Sequence, residues 1–492
     1  MKTLLLNPPS FEKFDGGAGA RWPARREIAS YWYPVWLAYP AGLIKESRLL
    51  DAPPHGIGPR ETIRIAEDYE FLVLFTSKPG FYNDVLLAEK IKEANPAIKI
   101  AFVGPPVSVQ PEQALAASPA IDFVARKEFD YTVAEFASGM DLKDIEGVSY
   151  RKDGKIVHNA DRPPIQDLDS LPFIVEIYRR DLDPTKYNIP FLKHPYLAFY
   201  TSRGCPAKCI YCLWPQTFTG RPWRVRSPES VVAEVKRALE LFPEVKEIFF
   251  DDDTWAWGKT RVIELCKHLE KLNFTWSCNS RVHADYDMLK AMKKAGCRLL
   301  VVGFESGVQE VLDRMKKGIT LEQSLTFMKN CRELGLTVHG DFMIGLPGET
   351  RETIMRTIEF AERLDPETIQ VSLAHPFPGT EFYEYLQTNG YLTEDDMSDE
   401  LGHQLPNYEY PWLSRRQIVD AVEYFYGRYY FRPKVIYRIV RRAIFDSHER
   451  TRLYQEARDF LRLRSRRKKF SGNVFEKLTG ETAVSSAKDT RG

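Results

Sequence analysis

Two hydrophobic rhythms alternate along this chain. Short continuous apolar runs, the mark of strands buried on both faces, are followed by longer stretches with apolar residues at helical spacing. Residues 2–9 (KTLLLNPP) and 48–54 (RLLDAPP) read as strands ending on proline turns. A helical pattern at 60–69, an apolar run at 71–76, a helix around 84–94 and an apolar run at 99–103 follow, the last ending in Gly104-Pro105-Pro106. This alternation predicts a parallel, doubly wound sheet over residues 1–145. Ligands of such sheets bind beyond the carboxyl ends of the strands, which would bring Asn7, Asp51, Ser77 and Gly104 together. Between about 20 and 45 the pattern becomes irregular and aromatic, with Tyr31-Trp32-Tyr33-Pro34-Val35-Trp36. Core packing is the default expectation there, and an entrance for a large apolar substrate is the alternative.

Residues 146–195 read as a connector, a hairpin turning at Lys152-Asp153-Gly154-Lys155 and then a proline-studded link. From 196 the alternation becomes regular: 196–204 then 227–242, 245–251 then 259–272, 275–282 then 285–296. It continues as 298–304 then 308–335, 337–344 then 350–365, and 368–374 then 381–390. Ser227 before Pro228-Glu229, and Thr320 with Gln323, mark helix starts. Six strand–helix units over 196–390 fall short of a closed eight-unit barrel and predict an open one.

Past 390 the pattern turns purely helical. Ser414 opens a helix whose apolar face is Ile418, Ala421, Val422, Phe425, Tyr426 and Tyr429. Pro433 breaks it, and the next helix carries Val435, Ile436, Ile439, Val440, Ala443 and Ile444 with Lys434, Arg438, Arg441 and Arg442. The run RLRSRRKK at 462–469 is strongly basic. Such helices either lie in a membrane interface, basic side toward anionic headgroups, or pack on the barrel. The region 391–470 is therefore expected to be helical, and the polar tail 471–492 disordered.

Composition narrows the function. The chain of 492 residues has 69 basic against 68 acidic side chains, so there is no global electrostatic case for nucleic acid. Seven cysteines, three of them clustered, argue against a disulfide framework and for a reducing compartment. The apolar run at the start is short and interrupted by Pro8 and Pro9, unlike a signal peptide, and no run reaches the roughly 18 apolar residues of a spanning helix. A cytoplasmic protein, peripheral at most to the inner face of a membrane, is expected.

The candidate chemistry sits in TSRGCPAKCIYCLWPQ, residues 201–216, where Cys205, Cys209 and Cys212 follow a strand-like run with C-x3-C-x2-C spacing. Three thiolates on one loop can ligate three irons of a 4Fe–4S cluster and leave the fourth open. A zinc site would need a fourth ligand at finger-like spacing, and spacing alone leaves both readings standing. Polar clusters end the other strands: Asp251-Asp252-Asp253, Asn279-Ser280-Arg281, Glu305-Ser306-Gly307, Gly345-Leu346-Pro347-Gly348-Glu349 and His375-Pro376-Phe377-Pro378-Gly379. Any one could be a helix cap, but five in register on one face are costly without a ligand. Cys266, Cys278, Cys297 and Cys331 fall on helix or strand patterns and read as small buried hydrophobes.

With Tyr211 in the aromatic place of C-x3-C-x-aromatic-C and the six units behind it, the chain resembles the radical S-adenosylmethionine enzymes over 196–390. The resemblance implies a 4Fe–4S cluster on Cys205, Cys209 and Cys212, and S-adenosylmethionine cleaved by one electron to a 5′-deoxyadenosyl radical. It places Asp251, Asp252 and Asp253 near the methionine amino group, Arg281 and Glu305 near ribose and carboxylate, and Gly345 and Pro347 against the adenine. A reductant such as flavodoxin or ferredoxin is implied as partner.

The first 145 residues resemble the Rossmann-like cobalamin-binding domain that precedes many such cores, making cobalamin a candidate third cofactor. The family's cobalt-ligating pattern is Asp-x-His-x-x-Gly, whereas DAPPHG separates Asp51 and His55 by three residues. His55 therefore reads as an ordinary loop histidine.

LNPPSFEKFDGGAGARW, SRLLDAPPHG, LFTSKPGF and CLWPQTFTG are together similar to the hopanoid-biosynthesis-associated radical proteins of the HpnJ type. That resemblance implies a hopanoid lipid substrate whose sugar-derived headgroup, on bacteriohopanetetrol, is rearranged to a cyclitol ether. The alternatives are a cobalamin-dependent radical methyltransferase and a non-catalytic iron–sulfur protein of electron transfer or binding. A tRNA methylthiotransferase would carry further cluster cysteines at its start, and none precedes Cys205.

Overall fold

The computed structural model describes residues 1–11, 30–393, 397, 404–445 and the positions 450, 454 and 458. The basic run at 462–469 and the tail at 471–492 lie outside the described residues.

The chain builds two sheets. The first has strands β1 (Thr3–Asn7), β2 (Ser47–Asp51), β3 (Phe71–Phe75), β4 (Lys99–Val103), β5 (Phe123–Ala125), β6 (Val148–Lys152) and β7 (Lys155–His158) in the order β2-β1-β3-β4-β5-β6-β7. The first five run parallel, and every residue of β1, β3 and β5 is buried, as an all-apolar run requires. The hairpin expected in the connector is the antiparallel edge of this sheet: β6 pairs with β5. A reversal in a short turn leaves an antiparallel partner as the only local option.

The second sheet follows β8 (Tyr196–Phe199). A short antiparallel pair, β9 (Ser202–Arg203) and β10 (Arg224–Val225), brackets the cysteine loop. Then come β11 (Glu247–Phe250), β12 (Trp276–Ser280), β13 (Cys297–Glu305), β14 (Thr337–Ile344) and β15 (Thr368–Leu373). All six main strands are parallel, in the order β15-β14-β13-β12-β11-β8, each followed by a helix. One expected helix differs. The stretch 308–335 divides into Gln309–Arg314 and Leu321–Leu334, because Lys316 and Gly318 adopt positive φ (55° and 68°) and turn the chain between them.

The aromatic segment is core, which corrects the entrance alternative. Val35–Leu43 is a helix with Trp36 and Tyr39 buried, Trp36 lying against Tyr200, Trp214 and Phe218 of the second unit. Tyr33 donates to the carbonyl of Tyr196 in β8 at 2.8 Å. This helix also packs on Asp130–Ala137 and Ile174–Asp181, so one continuous apolar core joins one face of the first sheet to the second. Among the described residues no helix is long and apolar enough to cross a membrane.

Candidate active site

The loop carrying Cys205, Cys209 and Cys212 is held from behind. Gly204 enters it at φ +86°, and a Cβ there would stand 2.2 Å from the carbonyl oxygen of Pro222, so only glycine admits this approach. Gln216 Nε2 donates to the carbonyls of Cys209, Ile210 and Cys212 (3.3, 3.0 and 2.7 Å). The amide of Ile210 donates to Met315 O at 3.1 Å, pinning the loop to the barrel. Cys205 and Cys209 are buried and Cys212 half-buried. Burial first, then Asp253 among the charges, pushes the thiols of Cys205 and Cys212 above the ordinary range. A cationic partner is therefore needed to hold them as thiolates.

Among the described residues no three His, Cys, Asp or Glu side chains converge as ligands of a single metal ion. The donor set fits a larger group: three soft thiols on one loop, with the buried guanidinium of Arg281 3.8 Å from Cys209 Sγ. Arg281 donates a second hydrogen bond to the carbonyl of Lys317, and its Nε has no partner among the described residues.

The three aspartates after β11 divide. Asp252 is fully buried and spent on anchoring the loop base, accepting from Thr201 N (2.9 Å), Thr201 Oγ1 and Ser202 Oγ (2.6 Å). Asp251 accepts one hydrogen bond from Asn279 Nδ2 (3.1 Å), and burial raises its pKa well above the carboxylate range. Asp253 accepts from Thr219 Oγ1 at 3.2 Å, and burial pushes its pKa up to about 6. Two under-neutralised carboxylates thus follow β11, Asp253 beside Cys205 and Cys212, a setting that favours a cationic ligand.

Glu305 ends β13 at φ +63°, a conformation rare for its residue type. Its Oε1 accepts from Tyr211 OH (2.9 Å) and Lys317 Nζ (2.6 Å), and Lys317 also reaches Tyr211 OH at 3.2 Å. Lys317 was missed by sequence reasoning because the pattern ran one helix through it. Its only signal was the Lys316-Lys317-Gly318 triplet. Arg261 was missed as well. It is half-buried, its Nη2 donating to Thr201 O at 3.1 Å while Nε and Nη1 have no partner among the described residues, and its guanidinium lies over Trp223.

Gly345 and Pro347 stand apart from the cysteines in contact. Gly345 (φ +96°) donates to Glu349 Oε2 at 2.7 Å, and its carbonyl accepts from Tyr408 and Tyr410, both at 2.9 Å. Pro347 O accepts from Arg314 Nη1 at 3.3 Å. Glu349 Oε1 is buried with no partner among the described residues, and burial raises the carboxyl to about 7.

On the first sheet, Asn7 Nδ2 donates to Asp51 Oδ1 and Tyr187 OH to Asp51 Oδ2, both at 2.7 Å. His55 Nδ1 lies 2.8 Å from Asp51 O, and its Nε2 accepts from Asp183 N at 3.1 Å. Both ring nitrogens are engaged, as befits a loop histidine. Ser77, Lys78, Pro105 and Pro106, beyond β3 and β4, meet Leu213, Phe377 and Pro378 of the second unit around a narrow cleft.

Residues 199–361 match the Radical SAM superfamily, and the chain is 32% identical over 469 residues to an uncharacterized methyltransferase of Pyrococcus horikoshii, covering 91% of this chain and 95% of that one. The chain belongs to the radical SAM superfamily. This radical SAM enzyme is also 27% identical over 454 residues to the anaerobic magnesium-protoporphyrin IX monomethyl ester cyclase of Rubrivivax gelatinosus (87% and 77% covered). Its fold is similar to the radical S-adenosylmethionine methyltransferase TsrM from Kitasatospora setae, solved with a tryptophan substrate and a SAM analog (TM-score 0.65, 14% identity, 88% and 90% covered). It is equally similar to the cobalamin-dependent radical enzyme OxsB, solved with aqua-cobalamin and S-adenosylmethionine (TM-score 0.65, 16% identity, 87% and 66% covered). Membership sets aside the non-catalytic alternative, and a radical SAM enzyme works with a 4Fe–4S cluster and S-adenosylmethionine. The relatives give the hopanoid headgroup and the HpnJ-type specificity no support.

Proposed function

We propose that this radical SAM enzyme is a cobalamin-dependent methyltransferase, the alternative reading of its sequence. One observation carries the proposal: the strand ends of the first unit reach the second beside the cysteine loop, where Leu213, directly after Cys212, shares a cleft with Ser77, Pro105 and Pro106. Ligands of doubly wound sheets bind at such strand ends. The names of the Pyrococcus relative and of TsrM, both methyltransferases, support the reading. Cobalamin would be held through its periphery by the ends of β1 to β4, since His55 is committed on both nitrogens. When bound, it supplies a methyl carrier, and the cluster supplies the electron that cleaves S-adenosylmethionine.

In this reading Cys205, Cys209 and Cys212 ligate the cluster, with Arg281 offsetting its charge. Asp251 and Asp253 face the methionine ammonium, and Asp252 holds the loop base. Lys317 and Tyr211 fix Glu305 at the ligand's edge, and the Gly345–Pro347 turn borders the adenine. The methyl acceptor would approach past Phe75, Phe377 and Pro378, the apolar residues that line the same cleft. The test is anaerobic reconstitution with iron, sulfide and hydroxocobalamin, followed by gel filtration and absorbance. The expected result is one cobalamin per chain, and turnover yielding both 5′-deoxyadenosine and S-adenosylhomocysteine. A reconstituted enzyme that forms 5′-deoxyadenosine yet retains no cobalamin would overturn the methyltransferase reading.

A further inference from the structure

The helix Pro433–Phe445 has two apolar faces, and the fold uses one of them. Val435 is fully buried and Ile439 packs against the core, while Arg438 reaches back to the carbonyls of Pro366 and Glu367 (2.9 and 3.1 Å). These contacts fix the helix rotation. At about 100° per residue they turn Ile436, Tyr437, Val440 and Ile444 outward as a stripe roughly 100° wide. The four are 44%, 67%, 49% and 63% exposed. Lys434 and Arg441, both exposed, lie along one edge of the stripe, Lys434 also pairing with Asp365 at 2.7 Å.

Charge is segregated in the same region. Residues 433–470 hold thirteen Lys and Arg against four Asp and Glu, in a chain whose net charge is +1. The rest of the protein is therefore net acidic. An outward apolar stripe edged by cations, within a segment of concentrated positive charge, fits an anionic surface that also accepts hydrocarbon. We propose that Pro433–Phe445 docks this enzyme on an anionic lipid bilayer, with Ile436, Val440 and Ile444 in the acyl boundary, Tyr437 at headgroup level, and Lys434 and Arg441 on the phosphates. The inference is independent of the methyl acceptor. An acceptor partitioned in the bilayer would reach a docked enzyme by diffusion in two dimensions.

The experiment is sedimentation of the full chain with vesicles of phosphatidylcholine alone or mixed with phosphatidylglycerol. Wild type should pellet with the mixed vesicles, and at least about tenfold less with phosphatidylcholine alone or in high salt. The triple variant I436D/V440D/I444D alters exposed positions only, so it should keep its circular dichroism and 5′-deoxyadenosine yield while vesicle binding falls about tenfold or more. K434E/R441E should weaken binding to mixed vesicles and leave residual binding to phosphatidylcholine unchanged. Wild type that stays in the supernatant with mixed vesicles overturns the proposal. So does a triple variant that pellets like wild type, or a wild-type dimer at sedimentation equilibrium that the triple variant abolishes.

Discussion

Arg203 on β9 grips the carboxylate of Asp130 through two hydrogen bonds of 2.8 and 2.9 Å, with both side chains excluded from water. Its guanidinium also lies 4.5 and 4.7 Å from the ring centroids of Trp36 and Tyr39. A parallel bridge joins Arg224 on β10 to Glu128 (Nη1 to Oε2 2.9 Å). Glu128 and Asp130 belong to the first unit, directly after β5. The strands that bracket the cysteine loop are therefore clamped to the sheet across the cleft. Buried ion pairs join the two units beside the apolar core they share.

Breaking one partner of such a pair leaves an uncompensated buried charge. Asp130→Asn should cost about 3–5 kcal/mol of stability, whereas Arg203→Met combined with Asp130→Leu should cost less than the sum of the two single changes. Urea unfolding of wild type, Asp130→Asn, the two single changes and the double variant measures this. A single-variant cost below about 1 kcal/mol would mean that the clamp is solvated in solution.

Removing a thiol tests the cluster directly. Cys209→Ala should abolish the absorbance near roughly 400 nm after reconstitution, or leave a defective cluster that forms no 5′-deoxyadenosine. Wild-type yield from this variant would refute the assignment. Cys278→Ala, at a buried strand position, should keep the absorbance.

The architecture was legible because buried strands of a parallel sheet read as unbroken apolar runs. The predicted strand at 337–344 matches β14 to the residue, and the capping box at Thr320 and Gln323 forms as expected. What escaped notice was long-range or turn-borne. Lys317 hides between two helices that the apolar period fuses into one. The pairing of Arg203 with Asp130 spans 73 positions, which no local pattern encodes. The three aspartates look equivalent in sequence, and only the packing of Thr201 and Ser202 against Asp252 separates the anchor from the other two carboxylates.

Gly345 offers a steric test. A Cβ there would fall 2.1 Å from the Tyr408 hydroxyl on a backbone at φ +96°. Gly345→Ala should destabilise by roughly 2–4 kcal/mol. Adding Tyr408→Phe removes the clashing oxygen and should recover part of that loss, the part owed to sterics rather than to φ. Additive costs in thermal unfolding would reject this account.

Glu349 predicts a pH dependence. Its carboxyl titrates near 7 in the folded protein, raised by burial and opposed by the amides of Leu346 and Gly345. Because the folded value lies above the unfolded one, its contribution is complete below about pH 4.5 and is lost as pH rises through about 7. Glu349→Gln keeps an acceptor for the two amides and removes the titration. The stability of wild type relative to Glu349→Gln should therefore fall between pH 5 and pH 8, by on the order of 1–3 kcal/mol. Urea midpoints at the two pH values give the difference, and a constant gap would show Glu349 ionised throughout.

Lys317 separates binding from reactivity. It donates 2.6 Å to Glu305 and 3.2 Å to Tyr211, and its carbonyl receives Arg281, so it ties the end of β13 to the cysteine loop without belonging to the thiol set. Lys317→Met preserves the aliphatic stem and removes the charge. Glu305 then loses its cation and Tyr211 its second partner, which loosens the group proposed to orient the ribose. The cluster absorbance should remain, while the 5′-deoxyadenosine rate falls roughly 10- to 100-fold, the scale of a small misplacement of reacting groups. Lys317→Arg should recover part of the rate by restoring the charge. A variant that loses the cluster outright would make Lys317 a structural support, and one with an unchanged rate would leave Glu305 positioned by Tyr211 alone.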